Sequence, residues 1–191
     1  MDFNKIYNRV KNIIVKPDDE WLIIKAETED KNEVLCNYAL PLLGLIAISS
    51  LIGSAITKLP LGNSFLSVLI TAIIIFVVQF LVMYLSAFII NELAPSFGSK
   101  KNINSAFKLV IYASTASYVA SIFSGLFPKL SVLLSIFGLY SIYLFWIGLT
   151  AMMETPENKK VAYIIVSFLI IVVINLVLWA IFGAIGLASM L

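Results

Sequence analysis

Five long apolar segments constrain most strongly what this chain of 191 residues can fold into. They cover about residues 37–57, 64–90, 106–126, 130–153 and 161–188. The hydrocarbon core of a bilayer is ~30 Å thick, and a helix of about 20 residues spans it while satisfying its own backbone hydrogen bonds. The chain is therefore predicted to be an all-α membrane protein, a bundle of five transmembrane helices that follows a polar segment over residues 1–36.

Composition excludes several classes of protein. Apolar residues make up 61% of the chain and charged residues 13%, whereas soluble domains have about 45–50% and about 25%. The net charge of +2 without a basic block gives no electrostatic basis for a nucleic-acid partner. There is no histidine and one cysteine, which excludes a Cys/His zinc site and an imidazole base. We expect a non-enzymatic protein without metal or cofactor.

The positive charges predict the orientation of the chain. Of its 13 Lys and Arg residues, only Lys58 and Lys129 lie on the side opposite the N-terminus if the five segments all cross. Loops rich in Lys and Arg stay in the cytoplasm. The N-terminus is therefore expected to be cytoplasmic and the C-terminal Leu191 outside, and the polar segment at residues 1–36 argues against a cleavable signal peptide.

The N-terminal segment begins with an amphipathic pattern. Its apolar residues share one face of a helix, namely Phe3, Ile6, Tyr7, Val10, Ile13 and Ile14. Lys5 and Arg9 lie on the opposite face. Such a helix either lies in the membrane interface with its cations toward lipid phosphates, or packs onto the cytoplasmic ends of the bundle.

Two more helix starts are predicted before the first apolar segment. Pro17 begins a short helix with an acidic first turn, on which Trp21 is expected to face the membrane. Asp30 and Glu33 have the spacing of a capping box, which predicts a helix continuous with the first span. The acidic residues of this segment are expected to be mostly solvated, rather than a metal or partner site.

Small and hydroxyl-bearing residues recur on three of the predicted spans. The third span carries a stripe of serines, Ser114, Ser117, Ser121 and Ser124. The fourth has Ser131, Ser135 and Gly138, and the fifth has Ala180, Gly183, Ala184 and Leu187. Small residues let membrane helices approach closely, so we expect these faces to meet one another. The alternative for the serine stripe is a polar pathway for an ion or solute.

Two amides lie in the middle of predicted spans, Gln79 in the second and Asn175 in the fifth. An unsatisfied amide in hydrocarbon is costly, so each needs a partner within the bundle. Two interpretations follow, a structural hydrogen bond between helices or a contact with a substrate.

The connection at residues 91–105 is longer than the others and is expected to form the functional cytoplasmic surface. Pro95 is predicted to end the second long helix because it lacks an amide proton, and Gly98 to allow a tight turn after it.

Glu92 is the polar residue of greatest interest near a predicted span. Together with Asn91 it is expected at the helix end beside Tyr112, where the carboxylate can bond to the phenol or to a lipid headgroup. The alternative is an ordinary charge near water. If Glu92 is a site residue, Glu92→Gln leaves stability close to wild type and impairs association with a partner or lipid.

Several short segments resemble the Yip1 family of integral membrane proteins. They are residues 91–98, 104–108, 112–118, 138–143 and 148–149, with the sequences NELAPSFG, NSAFK, YASTASY, GLYSIY and GL. The N-terminal sequence PDDEW at residues 17–21, followed by Glu27, is similar to bacterial members. Family members often have a proline near the tyrosine of the third span, but Ala116 and Ser117 stand there, so no kink is expected from that proline.

The resemblance implies a five-span protein with a cytoplasmic N-terminus, in a bacterial cytoplasmic membrane. Eukaryotic relatives are linked to Rab GTPases and vesicle trafficking, but Rab binding is not carried over to a bacterial-type chain. Two functions are considered. One is a scaffold or adaptor that contacts membrane lipids and a membrane-protein partner or a second copy of itself. The other is a small channel, transporter or lipid-handling protein that uses polar groups inside the bundle.

Overall fold

The computed structural model describes residues 2–188, with side chains to residue 184, and all regular elements in that range are helical. The helices are α1 (Phe3–Val15), α2 (Pro17–Ala26), α3 (Lys31–Val34), α4 (Leu40–Lys58), α5 (Phe65–Leu93), α6 (Ile103–Ala113), α7 (Thr115–Leu126), α8 (Ser131–Met153) and α9 (Glu157–Ala188). The side chain of Leu187 and the C-terminal Leu191, both used in the predictions above, lie outside the described residues.

The first apolar helix begins where the capping box predicts. The Asp30 carboxylate accepts from the backbone of Glu33, and the Glu33 side chain accepts from the backbone N–H of Asp30, which confirms the box. Helix α3 then passes through a π-helical turn, Leu35–Ala39, into α4. Pro41 follows directly after this turn, where the wider winding relieves the clash that a proline ring causes in a regular helix.

In the part of the chain that the structure describes, four apolar helices are long enough to cross a bilayer, and they match four of the predicted spans. They are Lys31–Leu61, Phe65–Phe97, Pro128–Met153 and Glu157–Ala184. This length and composition identify an integral membrane protein of all-α class.

The third predicted span is not one straight helix. It is broken at Ser114 into α6 and α7, which are bent by 42°. No proline causes the bend. The Ser141 hydroxyl of α8 instead accepts the backbone N–H of Ser117 at 3.0 Å, which satisfies one of the amides that a helix start leaves without an intrahelical partner. The segment predicted as the third span over residues 106–126 is therefore bent, although no proline lies near the break.

Close packing of small residues joins α4 to α7 rather than α8 to α9. A Cβ atom on Gly53 would lie 1.9 Å from the carbonyl oxygen of Gly125, so the two backbones are in direct contact. In contrast, Ser131 and Ser135 are exposed, and a Cβ atom on Gly183 would meet nothing within 4 Å. The predicted meeting of the small faces of α8 and α9 does not occur among the described side chains.

Helices α1 and α2 pack onto one end of the bundle, together with the connection between α5 and α6 and the turn between α8 and α9. We call this the capped end, and the end with the turns at residues 59–64 and 127–130 the open end. Trp21, which was expected to face the membrane, is 1% exposed because the missing side chain of Gly148 leaves room for its indole. Ile13 and Ile24 are also fully buried, so packing onto the bundle is the arrangement of the N-terminal segment.

Candidate functional sites at the capped end and inside the bundle

A buried ion-pair network connects the N-terminal helices at the capped end. Arg9, 9% exposed, pairs with the carboxylates of both Glu20 and Glu27. Its guanidinium lies 5.4 Å from the centre of the Tyr112 ring, which Trp21 contacts edge-on at 6.5 Å. Arg9 was expected to face lipid or solvent. It is buried because α2 supplies carboxylates that satisfy its charge.

Lys108 of α6 completes the attachment of α2. Its ammonium group is buried and donates to the backbone carbonyl of Glu27 at 2.7 Å and to that of Ile24 at 3.3 Å. These carbonyls belong to the C-terminus of α2, where a cation is favoured by the helix dipole. No sequence signal indicated this role, because the acceptors of Lys108 are backbone carbonyls of a segment distant in the chain.

Lys5 remains on the polar surface, as its position on α1 predicts. Its ammonium group lies 2.6 Å from the Glu29 carboxylate, and this hydrogen bond raises the pKa of Lys5 above its ordinary value. The pair is partly exposed, so its contribution to stability is small.

Glu92 lies at the exposed end of α5 and does not meet Tyr112. Its carboxylate contacts Lys101 at 2.5 Å and accepts from the Asn91 amide at 3.1 Å. Tyr112 points instead toward Arg9 and the N-terminal helices. The expected pair of Glu92 with Tyr112 is therefore not formed, because the bend of the chain after Pro95 places Lys101 beside the carboxylate.

The connection after α5 follows the predicted turn chemistry and is held firmly in place. Helix α5 ends at Leu93, Pro95 lies in the 3₁₀ turn Ala94–Phe97, and Gly98 has a φ of +66°. The Ser99 hydroxyl then bonds to that of Thr155 at 2.8 Å. The backbone N–H of Lys100 also donates to the carbonyl of Met153 at 2.8 Å, and Phe97 stacks on Tyr163 at 4.6 Å.

A polar cleft of about 280 Å³ lies between this connection, the N-terminal segment and the end of α8. The side chains that line it include Lys25, Glu29, Lys100, Asn102, Asn104 and Glu154. Charges of both signs therefore border a surface whose backbone is fixed by contacts to three segments.

Gln79 and Asn175 line a cavity in the middle of the bundle. The cavity has a volume of about 270 Å³, and Ser86, Ser114, Ser117 and Ser121 also line it. The Asn175 amide donates to the carbonyl of Ile171 in its own helix at 2.9 Å, and Gln79 makes no hydrogen bond within the described residues. The expected hydrogen bond between helices is therefore not formed by either amide.

The serine stripe makes a contact between helices and also lines the cavity. The Ser117 hydroxyl bonds to that of Ser141 at 2.8 Å, which is a contact between α7 and α8. Ser114, Ser117 and Ser121 also border the cavity, whereas Ser124 lies outside its lining.

Comparison with known proteins gives one match. A family model described as the Yip1 domain matches residues 11–184. No curated protein and no solved structure matches the chain. The matched range includes Glu20, Glu27 and Tyr112 of the buried network but not Arg9, and it includes the connection after α5 and all of the cavity-lining residues. Since the match covers nearly the whole chain, this protein belongs to the Yip1 family.

Proposed function

We propose that this protein crosses a bacterial cytoplasmic membrane five times, with the N-terminus and the capped end in the cytoplasm and the C-terminus outside. Two observations support this topology. The bent pair of α6 and α7 is long and apolar enough to count as one crossing, which brings the total to 5. All Lys and Arg residues except Lys58 and Lys129 then lie on the cytoplasmic side.

Reporter fusions test this topology. Fusions after Asn63, Ser99, Lys129, Asn158 and Leu191 are expected to report outside, inside, outside, inside and outside in that order. A cytoplasmic signal from the fusion at Leu191 would contradict five crossings.

We further propose a non-enzymatic role as a membrane scaffold or adaptor that binds a protein partner at the polar cleft of the capped end. The observation that carries this proposal is the rigid attachment of the connection after α5. Hydrogen bonds of 2.8 Å join Ser99 to Thr155 and Lys100 to Met153, on the far side of the cleft from the N-terminal helices. A surface that is already ordered loses little conformational entropy when it binds.

The charges around the cleft remain available to a partner. Lys100 and Glu154 are 3.5 Å apart and both are more than half exposed. Such an exposed pair contributes little to stability, and both groups keep access to water and to charges on another protein. The cleft therefore suits a polar segment that carries charges of both signs.

Photo-cross-linking in intact cells tests the adaptor role. A photoreactive amino acid at Asn102, on the cleft, is expected to capture a discrete protein partner. The matched control is the same amino acid at Asn63, in a turn at the open end. Partner capture at Asn102 that is lost on Lys100→Ala supports the proposal. No capture at Asn102, or equal capture at Asn63, would contradict it.

A second function, transport or lipid handling, is favoured by the cavity that Gln79 and Asn175 line. Polar side chains at mid-membrane depth that lack partners across the bundle are suited to contact a passing molecule. Purified protein in liposomes is expected to raise ion flux, solute flux or lipid scrambling, and Gln79→Leu is expected to reduce that rate. Rates equal to those of protein-free liposomes would contradict this function.

A further inference from the structure

We propose that the cavity inside the bundle, which opens between α8 and α9, binds one uncharged membrane lipid through a hydroxyl or ester carbonyl group. This inference rests on the second function proposed above and is independent of the adaptor role. The lipid is recognised by neutral hydrogen-bonding groups within an otherwise apolar site.

The cavity has two adjoining chambers that open toward the surrounding lipid. The larger, of about 270 Å³, contains Gln79 and Asn175, and the smaller, of about 180 Å³, lies between α8 and α9. Ser114 and Ser117 line both. Phe168 borders the smaller chamber and is 46% exposed, so this chamber reaches the outside of the bundle.

The depth of the opening determines what enters it. Gln79 lies near the middle of α5 (Phe65–Leu93), and Asn175 lies near the middle of α9. At this depth the bundle is surrounded by acyl chains, not by water or headgroups. Together the chambers, of about 180 and 270 Å³, fall in the lower part of the range of small-molecule sites, ~300–1,000 Å³.

Each chamber contains a buried hydroxyl that has no hydrogen-bond partner within the described residues. Ser86 borders the larger chamber and Ser167 the smaller, and each is 2% exposed. Buried hydroxyls without partners are rare because they lose their bonds to water and gain nothing in return. A ligand that brings oxygen atoms into the chambers satisfies both groups.

The lining also selects against charge. Hydroxyl-bearing and apolar side chains line both chambers, two amides line the larger, and no Lys, Arg, Asp or Glu is among these residues. A phosphate in this position would be a buried charge without a counter-ion, which is costly. A lipid such as diacylglycerol, with a free hydroxyl, ester carbonyls and two acyl chains, has the required chemistry.

The test uses a photoreactive, clickable diacylglycerol with the full-length protein in phosphatidylcholine liposomes. We expect labelled peptides from α8 and α9 near Gly138 and Ser167. Excess unlabelled diacylglycerol is expected to compete, and phosphatidic acid is not.

Two variants with matched controls locate the site. Gly138→Leu fills the smaller chamber and is expected to abolish labelling, whereas Gly183→Leu places the same side chain on an open surface of α9. Ser167→Ala is expected to reduce labelling about fivefold, the effect of one hydrogen bond on affinity. Because its hydroxyl has no partner among the described residues, Ser167→Ala is expected to leave the fold intact even if Gly138→Leu does not. Ser135→Ala, on an exposed serine, is its control.

Different labelling results would contradict the location of the site, its restriction to uncharged lipids, or its role in transport. Unchanged labelling in Ser167→Ala, or labelling that maps to helices lining neither chamber, would overturn the site. Equal competition by phosphatidic acid would overturn the restriction to uncharged lipids. Site-specific labelling without flux or scrambling in the same liposomes would support the binding site and reject transport as its purpose.

Discussion

The capped end and the face formed by α8 and α9 are built on opposite principles. At the capped end, aromatic rings, buried charges and a glycine fit closely, as where Trp21 fills the space above Gly148. Along α8 and α9, large apolar side chains point outward, serines lie exposed, and the gap between the helices contains the smaller chamber. Helix α9 is the least buried of the candidate spans.

The difference shows how a membrane protein distributes its polar residues. Outside the membrane, burial of apolar groups drives packing, and each buried charge is held by an opposite charge. Within the hydrocarbon, lipid covers an apolar helix face as favourably as protein does. A helix there can leave such a face exposed to lipid and remain stable. Polar groups that remain unpaired there, such as the Ser167 hydroxyl, are therefore indicators of a ligand rather than of stability.

The largest loss of stability is expected when the Trp21 indole is removed from the capped end. Trp21→Ala is expected to lower the free energy of unfolding by about 4 kcal/mol, because it leaves a large cavity in a fully packed site. Denaturant titration of purified protein in detergent measures the change. Trp179→Ala, on the exposed face of α9, is the control and is expected to have little effect. Equal losses in both variants would refute the difference between the regions.

Removing the charge of Arg9 tests the buried network. Arg9→Met is expected to cost about 3 kcal/mol in free energy of unfolding, since the buried Glu20 carboxylate loses its partner. The double variant Arg9→Met with Glu20→Gln is expected to recover part of this loss, as thermal unfolding would show. A single variant as stable as wild type would mean that Glu20 is solvated.

At the open end, Gly53 of α4 lies directly against Gly125 of α7. Gly53→Ala is expected to cost about 2 kcal/mol, because the added methyl group overlaps the carbonyl of Gly125 and the helices must separate. Gly183→Ala, in the same half of the bundle, meets nothing and is expected to be neutral. Similar unfolding midpoints for the two variants would show that α4 and α7 are as loosely packed as α8 and α9.

The smallest effect on stability is expected at the exposed end of α5. Glu92→Gln removes an ion pair with Lys101 that lies in water, so its unfolding midpoint is expected to equal that of wild type. If the connection after α5 is the partner surface, cross-linking from Asn102 falls in this variant. Glu157→Gln, which neutralises an exposed carboxylate paired with the buried Lys160, is the control. Loss of folding in Glu92→Gln would instead make Glu92 a structural residue.

Local features of this fold were predictable from the sequence. The apolar segments, the capping box of Asp30 with Glu33, and the turn at Pro95 and Gly98 each depend on residues within a few positions of one another. Such patterns fix backbone geometry directly.

Features that depend on distant residues were not predictable. An apolar face that packs on protein has the same pattern as one that faces lipid, so the space above Gly148 for Trp21 left no periodic signal. The break at Ser114 depends on a hydroxyl supplied by Ser141 of another helix. For Gln79, the sequence pattern showed a polar side chain in the middle of a span. Whether that side chain bonds to another helix or lines a cavity depends on the distance between the helices, which the sequence pattern does not contain.

Quenching of tryptophan fluorescence by brominated phospholipids tests the central contrast most directly, since the chain has 3 tryptophans. Trp146 and Trp179 are 38% and 42% exposed on α8 and α9, whereas Trp21 is 1% exposed. Wild-type protein in liposomes is expected to be strongly quenched. The double variant Trp146→Phe with Trp179→Phe, which retains only Trp21, is expected to be quenched very little. Strong quenching of this variant would show that the N-terminal segment lies against lipid and would contradict the packed capped end.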